Sequence, residues 1–222
     1  MRIAVVGAGS VGIAIAREFI AHGHDVTLID SSPDAIHISD VPQADWALAD
    51  ACSPAALEDA AVRECDSLVA ATGDDKVNLV VSLLAKTEFA VPKVVARIND
   101  PGNEWMFNSN WGVDIPASTP RVMAALVEES ISTGRAVQLL SLSNQTVLCF
   151  ALTVPDNSVQ IEVNPAEIDW PQELVITTLI RGGKPLDVSR VSGIRPGDEL
   201  LITCARQDAP LVSELEALFA PS

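Results

Sequence analysis

Three glycines, Gly7, Gly9 and Gly12, stand at G-x-G-x-x-G spacing directly after a short apolar run, in "RIAVVGAGSVG". Gly7 permits a tight turn, Gly9 lets backbone approach a pyrophosphate, and Gly12 lets the following helix pack close to the strand. A helix that begins near Ser10 points unpaired N–H groups and about half a positive charge at an anion. Gly7, Ala8, Gly9, Ser10, Val11 and Gly12 therefore form a candidate phosphate cradle. Asp30 ends the next strand, "TLID", 18 residues after Gly12. Its carboxylate can accept both hydroxyls of a ribose and would repel a 2′-phosphate, which favours NAD or an adenosine nucleotide over NADP.

Hydride transfer would need a proton donor or acceptor beside the reacting carbon. The chain has three histidines, His22, His24 and His37, and no tyrosine. The first two follow the first helix, away from the loop, and His37 lies in the stretch after Asp30, so no catalytic residue is assigned. The four cysteines, Cys52, Cys65, Cys149 and Cys204, form no C-x-x-C pair, and no histidine lies at ligand spacing from them. They read as small buried hydrophobes rather than as metal ligands.

The elements that must position the loop alternate strand with helix. "RIAVVGAG", "DVTLID", "ADWALAD", "DSLVAAT", "KVVARIND" and "VDIPAS" read as six strands. "SVGIAIAREFIAHG", "SPAALEDAAV" (Ser53 as cap) and "DDKVNLVVSLLAKTE" read as helices, and "EWMFNSN" as a short one. Helical crossovers imply a parallel sheet covered on both faces. "STPRVMAALVEESIST" is a further helix ended by Gly134. Beyond it the chain turns strand-rich, with "AVQLLSLSN", "TVLCFALTV", "LVITTLIRG" and "DELLITCAR" separated by the turn signals "RGGK" and "RPGD". "NPAEI" starts a short helix capped by Asn164. A last helix, "DAPLVSELEALF", is expected with Asp208 as its cap. The fold class is α/β: a doubly wound parallel Rossmann sheet over residues 1–133, then a small β-rich α+β domain over residues 134–222.

With 222 residues, 48% of them hydrophobic, the chain can bury a sizeable core. A net charge of −16 disfavours nucleic acid and anionic bilayers as direct partners. No apolar run approaches the length of a membrane span, so direct membrane insertion is not expected and a cytoplasmic location is.

Several separated stretches together resemble the RCK family, the TrkA-type ligand-sensing regulators of potassium channels and transporters. These are "GAGSVG", "TLID", "LADACSPAAL", "LVAATGDDKVNL" and "VVARINDP", with "IRPGDELLI" and "LITCARQDAPLVSELEAL" similar to the family's small C-terminal ligand domain. The resemblance implies a regulatory subunit that binds NAD(H) or ADP/ATP and gates a separate membrane-embedded potassium-translocating subunit. It also implies homo-oligomers, dimers assembling into a ring, held at the inner face of the plasma membrane through that partner. The family places Asp50 and Ala51 against the adenine and Thr72 and Gly73 at the ribose-phosphate region.

Arg97, ending the fifth strand, can pair with phosphate oxygens or form a salt bridge to Asp74 or Asp100. Asp74 and Asp75 read as caps, and Asn78 as a residue that orients the loop. The "STPRVMAALVEES" helix, with Val122, Ala125, Leu126 and Ile131 on its stripe, is either a pairing helix or an ordinary buried one. Several relatives carry arginine where this chain has Ser10, which leaves NAD, NADH, ADP and ATP all open. A small NAD-dependent oxidoreductase and a regulator of another transporter are the alternatives.

Overall fold

The computed structural model describes residues 1–142 and 146–220. Two compact units divide the chain, Met1–Pro120 and Arg121–Ser222.

In the first unit, short strands rich in Val, Ile, Leu and Ala pair in parallel, as strands buried on both faces do. They are β1 (Arg2–Val6), β2 (Asp25–Asp30), β3 (Asp45–Leu48), β4 (Ser67–Ala70), β5 (Lys93–Ile98) and β6 (Ile115–Ser118), in the order β3-β2-β1-β4-β5-β6. Helix α1 (Ser10–Ala21) returns the chain to β2 and ends before Gly23, whose φ of +80° stops it. Helices α2 (Pro54–Asp59) and α3 (Asp75–Thr87) make the later crossovers. Alternation along the strands splits the apolar side chains between two cores. Ile3, Val5, Leu28 and Val69 pack with Ile13 and Ala16 of α1. Ala4, Val6, Ile29, Leu68 and Val94 pack with Leu57 of α2 and Leu79 and Val81 of α3. The reversal of strand order between β1 and β4 opens a crevice at the carboxyl edge, the place where doubly wound sheets hold ligands.

Local readings differ from the sequence expectation at several points. Ser53 sits at the start of α2 with extended backbone, yet its side chain makes no capping bond. "EWMFNSN" is not one short helix. It spans two 3-10 turns, Pro101–Met106 and Ser109–Trp111, separated by Phe107 and Asn108.

Helix α4 (Thr119–Ile131) spans the division between the two units, while the sequence places the boundary after that helix, at 133. Ala125 is its buried residue, and Val122, Leu126 and Ile131 are 50%, 58% and 76% exposed.

The second unit is an antiparallel sheet in the order β10-β9-β11-β8-β7. Its strands are β7 (Ala136–Leu142), β8 (Val147–Thr153), β9 (Val175–Arg181), β10 (Lys184–Leu186) and β11 (Glu199–Ala205). The end of the expected "AVQLLSLSN" strand, Ser143 and Asn144, lies outside the described residues. The turn signal "RGGK" resolves into a two-residue hairpin. Gly182 and Gly183 have φ of +56° and +74°, and Lys184 pairs directly with Arg181. Two consecutive positive φ angles are what a type I′ hairpin needs. The hairpin adds β10, a strand absent from the sequence reading.

One face of this sheet buries Leu148, Phe150, Leu152, Leu200 and Ile202 against Leu215 of the C-terminal helix α5 (Val212–Leu218) and Phe219 just after it. Asp208 does not cap that helix. It falls in a 3-10 turn, Arg206–Leu211, that precedes it, and Leu211 occupies the cap position. Asp198, 1% exposed, takes a two-bonded ion pair from Arg181, with Nε–Oδ1 at 2.8 Å and Nη2–Oδ2 at 2.7 Å.

Candidate functional site

Parallel register brings the site together. Val6 pairs with Ile29 on one side and with Ala70 on the other, and Asp30 pairs with Leu48. The residues that follow these strand ends therefore share one edge: the glycine loop, Asp30, Ala49–Ala51 and Thr72–Gly73.

The four glycines there answer to two different demands. A Cβ on Gly12 would stand 1.8 Å from the Gly7 carbonyl oxygen, so helix and loop touch at bare backbone. Gly7 has φ +101°, and a Cβ there would lie 2.9 Å from Thr72 N. These two are glycine because the fold requires it. A Cβ on Gly9 or Gly73 would meet no heavy atom of the described residues within 4 Å, and neither has a positive φ. Nothing among the described residues requires glycine at those two positions.

α1 has Gly9 at its cap position, no side-chain cap and no acidic residue in its first turn. Its leading N–H groups are thus left for an anion. Asp30 is held ready beside them: Oδ2 accepts the Ala8 N–H at 2.7 Å and Oδ1 accepts the Ser32 N–H at 2.8 Å. Each oxygen retains a lone pair for a further donor.

A cavity of about 350 Å³ opens at this edge. Of the residues singled out in the sequence, Gly7, Asp30, Asp50, Ala51, Thr72 and Gly73 line it. Ala8, Gly9, Ser10, Val11 and Gly12 run from the end of β1 into α1 and are not part of that lining. Arg97 is outside it too. It follows Val95 by two residues on β5, and Val95 packs into the α1-side core, so Arg97 faces the α1 side of the sheet. The Arg97 Nε is buried with no hydrogen-bond partner. The salt bridges to Asp74 or Asp100 considered for it are not formed among the described residues.

Sequence reasoning did not assign Ser31, Ala49 or Val77 to the site, yet all three line the cavity, and so does Asp74. The first two simply flank residues that were picked out, and Val77 comes from the first turn of α3. Asp50, an exposed residue, uses Oδ1 to accept the Cys52 N–H at 2.9 Å. Burial, then the charges of Asp50 and Asp74, push the Cys52 thiol above its ordinary range.

The floor beneath Thr72 is a dense hydrogen-bond network. Asn78 Oδ1 accepts from Thr72 N at 3.0 Å and from Thr72 Oγ1 at 2.7 Å. Its Nδ2 donates to the carbonyls of Thr72 and Arg97. Asn78 thus orients the loop, tying the end of β4 to the end of β5. Asp74 does cap α3, accepting from Lys76 N at 2.8 Å. Asp75 does not act as a cap. Its carboxylate, 7% exposed, accepts from Asn99 N, Asn99 Nδ2, Asp100 N and Asn103 Nδ2 at 2.7 to 3.0 Å. Burial alone would raise its pKa, but the bonds from Asn103, Asn99 and Asp100 outweigh that and hold the carboxyl below the ordinary carboxylate range.

No histidine lies at the cavity. His22 Nδ1 is 2.7 Å from the Glu18 carbonyl on its own helix, His24 packs edge-on to Phe19, and His37 is exposed. Among the described residues no group of three His, Cys, Asp or Glu is placed to hold a metal, and no helix is long and apolar enough to cross a membrane.

A Rossmann sheet with an uncapped glycine-loop helix and an acidic residue ending β2 defines a dinucleotide-binding class of fold. Residues 3–119 match the model of the TrkA-N domain, and the chain belongs to that family. A Trk system potassium uptake protein TrkA from Mycobacterium tuberculosis is 43% identical over 222 residues, covering 100% of both chains. Among solved structures, the GsuK channel bound to NAD superposes with a TM-score of 0.65 at 14% identity, over 100% of this chain and 40% of that one. The GsuK RCK domain gives 0.60 at 15% identity, over 100% and 48%. This chain therefore spans less than half of each of those two solved chains.

Proposed function

We propose that this chain is a cytoplasmic regulatory subunit of a potassium uptake system, with NAD(H) or ADP/ATP bound in its Rossmann unit as a signal. The observation that carries the reading is the contrast among the glycines. Gly7 and Gly12 are demanded by internal contacts, while Gly9 and Gly73 face open space on either side of an uncapped helix start. A nucleotide explains all of it at once: phosphates on the α1 N–H groups, ribose hydroxyls on Asp30, adenine beside Asp50 and Ala51, and the ribose-phosphate region over Thr72 and Gly73. Arg97, with its buried and unpartnered Nε, is the cation assigned to the phosphates.

The name of the full-length relative supports potassium uptake as the process. Regulation then follows from differential affinity: a ligand that prefers one arrangement of the oligomer shifts the population toward it. The domain division is taken as 1–133 for the nucleotide module and 134–222 for the second module.

Helix α4 supports the oligomer. Val122, Met123, Leu126, Val127 and Ile131 are all at least half exposed in the single chain. So much unpaired apolar surface on one helix fits burial against a second copy. A ring of such dimers beneath a membrane-embedded potassium-translocating subunit completes the proposal.

Two measurements test it. Calorimetric titration of the purified chain with NAD, NADH, ADP and ATP is expected to show saturable binding of at least one, and no binding of any would overturn the reading. Growth of a deletion strain at limiting potassium is expected to be impaired, and unimpaired growth would count against potassium as the transported ion.

A further inference from the structure

The two sheets end in four edge strands, β3, β6, β10 and β7. An open edge invites another strand, and proteins blunt it with charge, proline or brevity. β3 is four residues long and opens with Asp45, β6 carries Pro116, and β10 is three residues long with Lys184 and Pro185. β7 has none of these: its seven residues, "AVQLLSL", include no charge and no proline. Its first amide, on Ala136, is taken by Glu216 Oε1 of α5 at 2.8 Å. A register shift against β8 between Gln138 and Leu140 interrupts the strand, so the regular free edge is Leu140–Leu142. Leu140 and Leu142 are 46% and 50% exposed. They pair with Cys149 and Val147, on the sheet face away from α5, since Leu148 and Phe150 take the α5 side.

We infer that β7 is an interface between two copies of this chain. The two β7 strands run antiparallel, edge to edge about a two-fold axis, and join two five-stranded sheets into one. The inference rests on the reading of the chain as a homo-oligomer and on no property of the nucleotide cavity. Two observations single out a second copy as the occupant. With a net charge of −16, contact between copies opposes carboxylate-rich surfaces, and β7 is a strand along which they meet without any carboxylate. An incoming strand must itself present an unblunted edge, and among the described edges of this chain β7 is the one that does. A two-fold axis centred on Ser141 sets Leu140 of each copy against Leu142 of the other, so the exposed leucines cover one another on one face.

The test is sedimentation velocity of the full chain over a range of concentrations, with Leu140→Lys and Ser141→Cys beside the parent. Both positions are exposed, and circular dichroism with thermal melting checks that each variant folds. The parent is expected to form species larger than one protomer. Leu140→Lys carries like charges into the joined edge and should move the profile toward smaller species, weakening association by about tenfold or more. Ser141→Cys under mild oxidant should give a disulfide-linked dimer that the parent, whose cysteines are buried or half-buried, does not give. A Leu140→Lys chain that sediments like the parent, or an oxidised Ser141→Cys chain with no linked dimer, would overturn the inference and leave the oligomer to the α4 face. A parent that sediments as one protomer at every concentration would instead remove the reading on which it rests.

Discussion

The Asp30 Oδ2 accepts the main-chain N–H of Ala8 at 2.7 Å, so the acidic residue that ends β2 grips the glycine loop that ends β1. Under the proposed function, the residues assigned to ribose and to phosphate are thereby parts of one object. Replacing Asp30 with Ala leaves the Ala8 N–H without its acceptor and takes the ribose partner away together. Titration of that variant is expected to show nucleotide affinity lower by about tenfold or more, equivalent to about 1.4 kcal/mol, with a stability loss of about 1 kcal/mol. Affinity within twofold of the parent chain would contradict the placement of ribose at Asp30.

The glycines give a paired prediction. Gly12→Ala forces a methyl group to 1.8 Å from the Gly7 carbonyl oxygen and should destabilise the fold by about 3 kcal/mol. Gly9→Ala meets no protein atom and should leave the melting temperature nearly unchanged while weakening nucleotide binding strongly. Thermal melts and titrations of the two variants side by side decide it. A Gly9→Ala chain that binds normally would show that nothing approaches that backbone.

Asp75 makes acid stability measurable. Its folded pKa is depressed, so the stability it contributes is present above about pH 4, the unfolded value. That contribution is lost as pH falls through the folded value. Asp75→Asn cannot satisfy the four donors and should cost about 2 kcal/mol at pH 7. It should also flatten the fall of stability below about pH 4. Denaturant titrations across acid pH check both, and an unchanged acid limb would contradict the assignment.

In the second unit, Asp198→Ala strands the Arg181 guanidinium and the Arg195 amide. Losing one partner of a buried pair costs about 3–5 kcal/mol. The hydrogen bond to Asp198 raises the Arg181 pKa above its ordinary value. A melt showing no destabilisation would mean the pair is not closed in solution.

Much of this was legible in the sequence, because the periodicities were strong and the loop chemistry local. The six strands and their parallel pairing followed from helical crossovers between apolar runs, while their order in the sheet came only with the structure. What escaped shares a cause: partners distant along the chain. Asp75 reads as a helix cap because a carboxylate at that position usually is one. Its actual partners include Asn99, just past the end of β5, and Asn103, in the 3-10 turn that follows. β10 escaped because Lys184–Leu186, which begins with the lysine of "RGGK", is too short to show alternation, and only pairing with β9 makes it a strand. Asp208 was expected to cap α5, but Pro210 sits inside the preceding 3-10 turn and the regular helix starts later.

For α4 the stripe was visible and its setting was not. Leu126, 58% exposed, offers the check: Leu126→Asp should leave the protomer's fold intact, since the position is solvated there, and shift the sedimentation profile toward smaller species. An unchanged profile would rule that face out as the contact between copies.

The central claim is that an adenosine nucleotide is held as a signal and not consumed. Calorimetry of the full chain with NAD and ADP, followed by chromatography of the recovered nucleotide, tests it most directly. The account predicts saturable binding at one site per chain with the nucleotide recovered unchanged. An absence of binding, or steady conversion of the bound nucleotide, would contradict it.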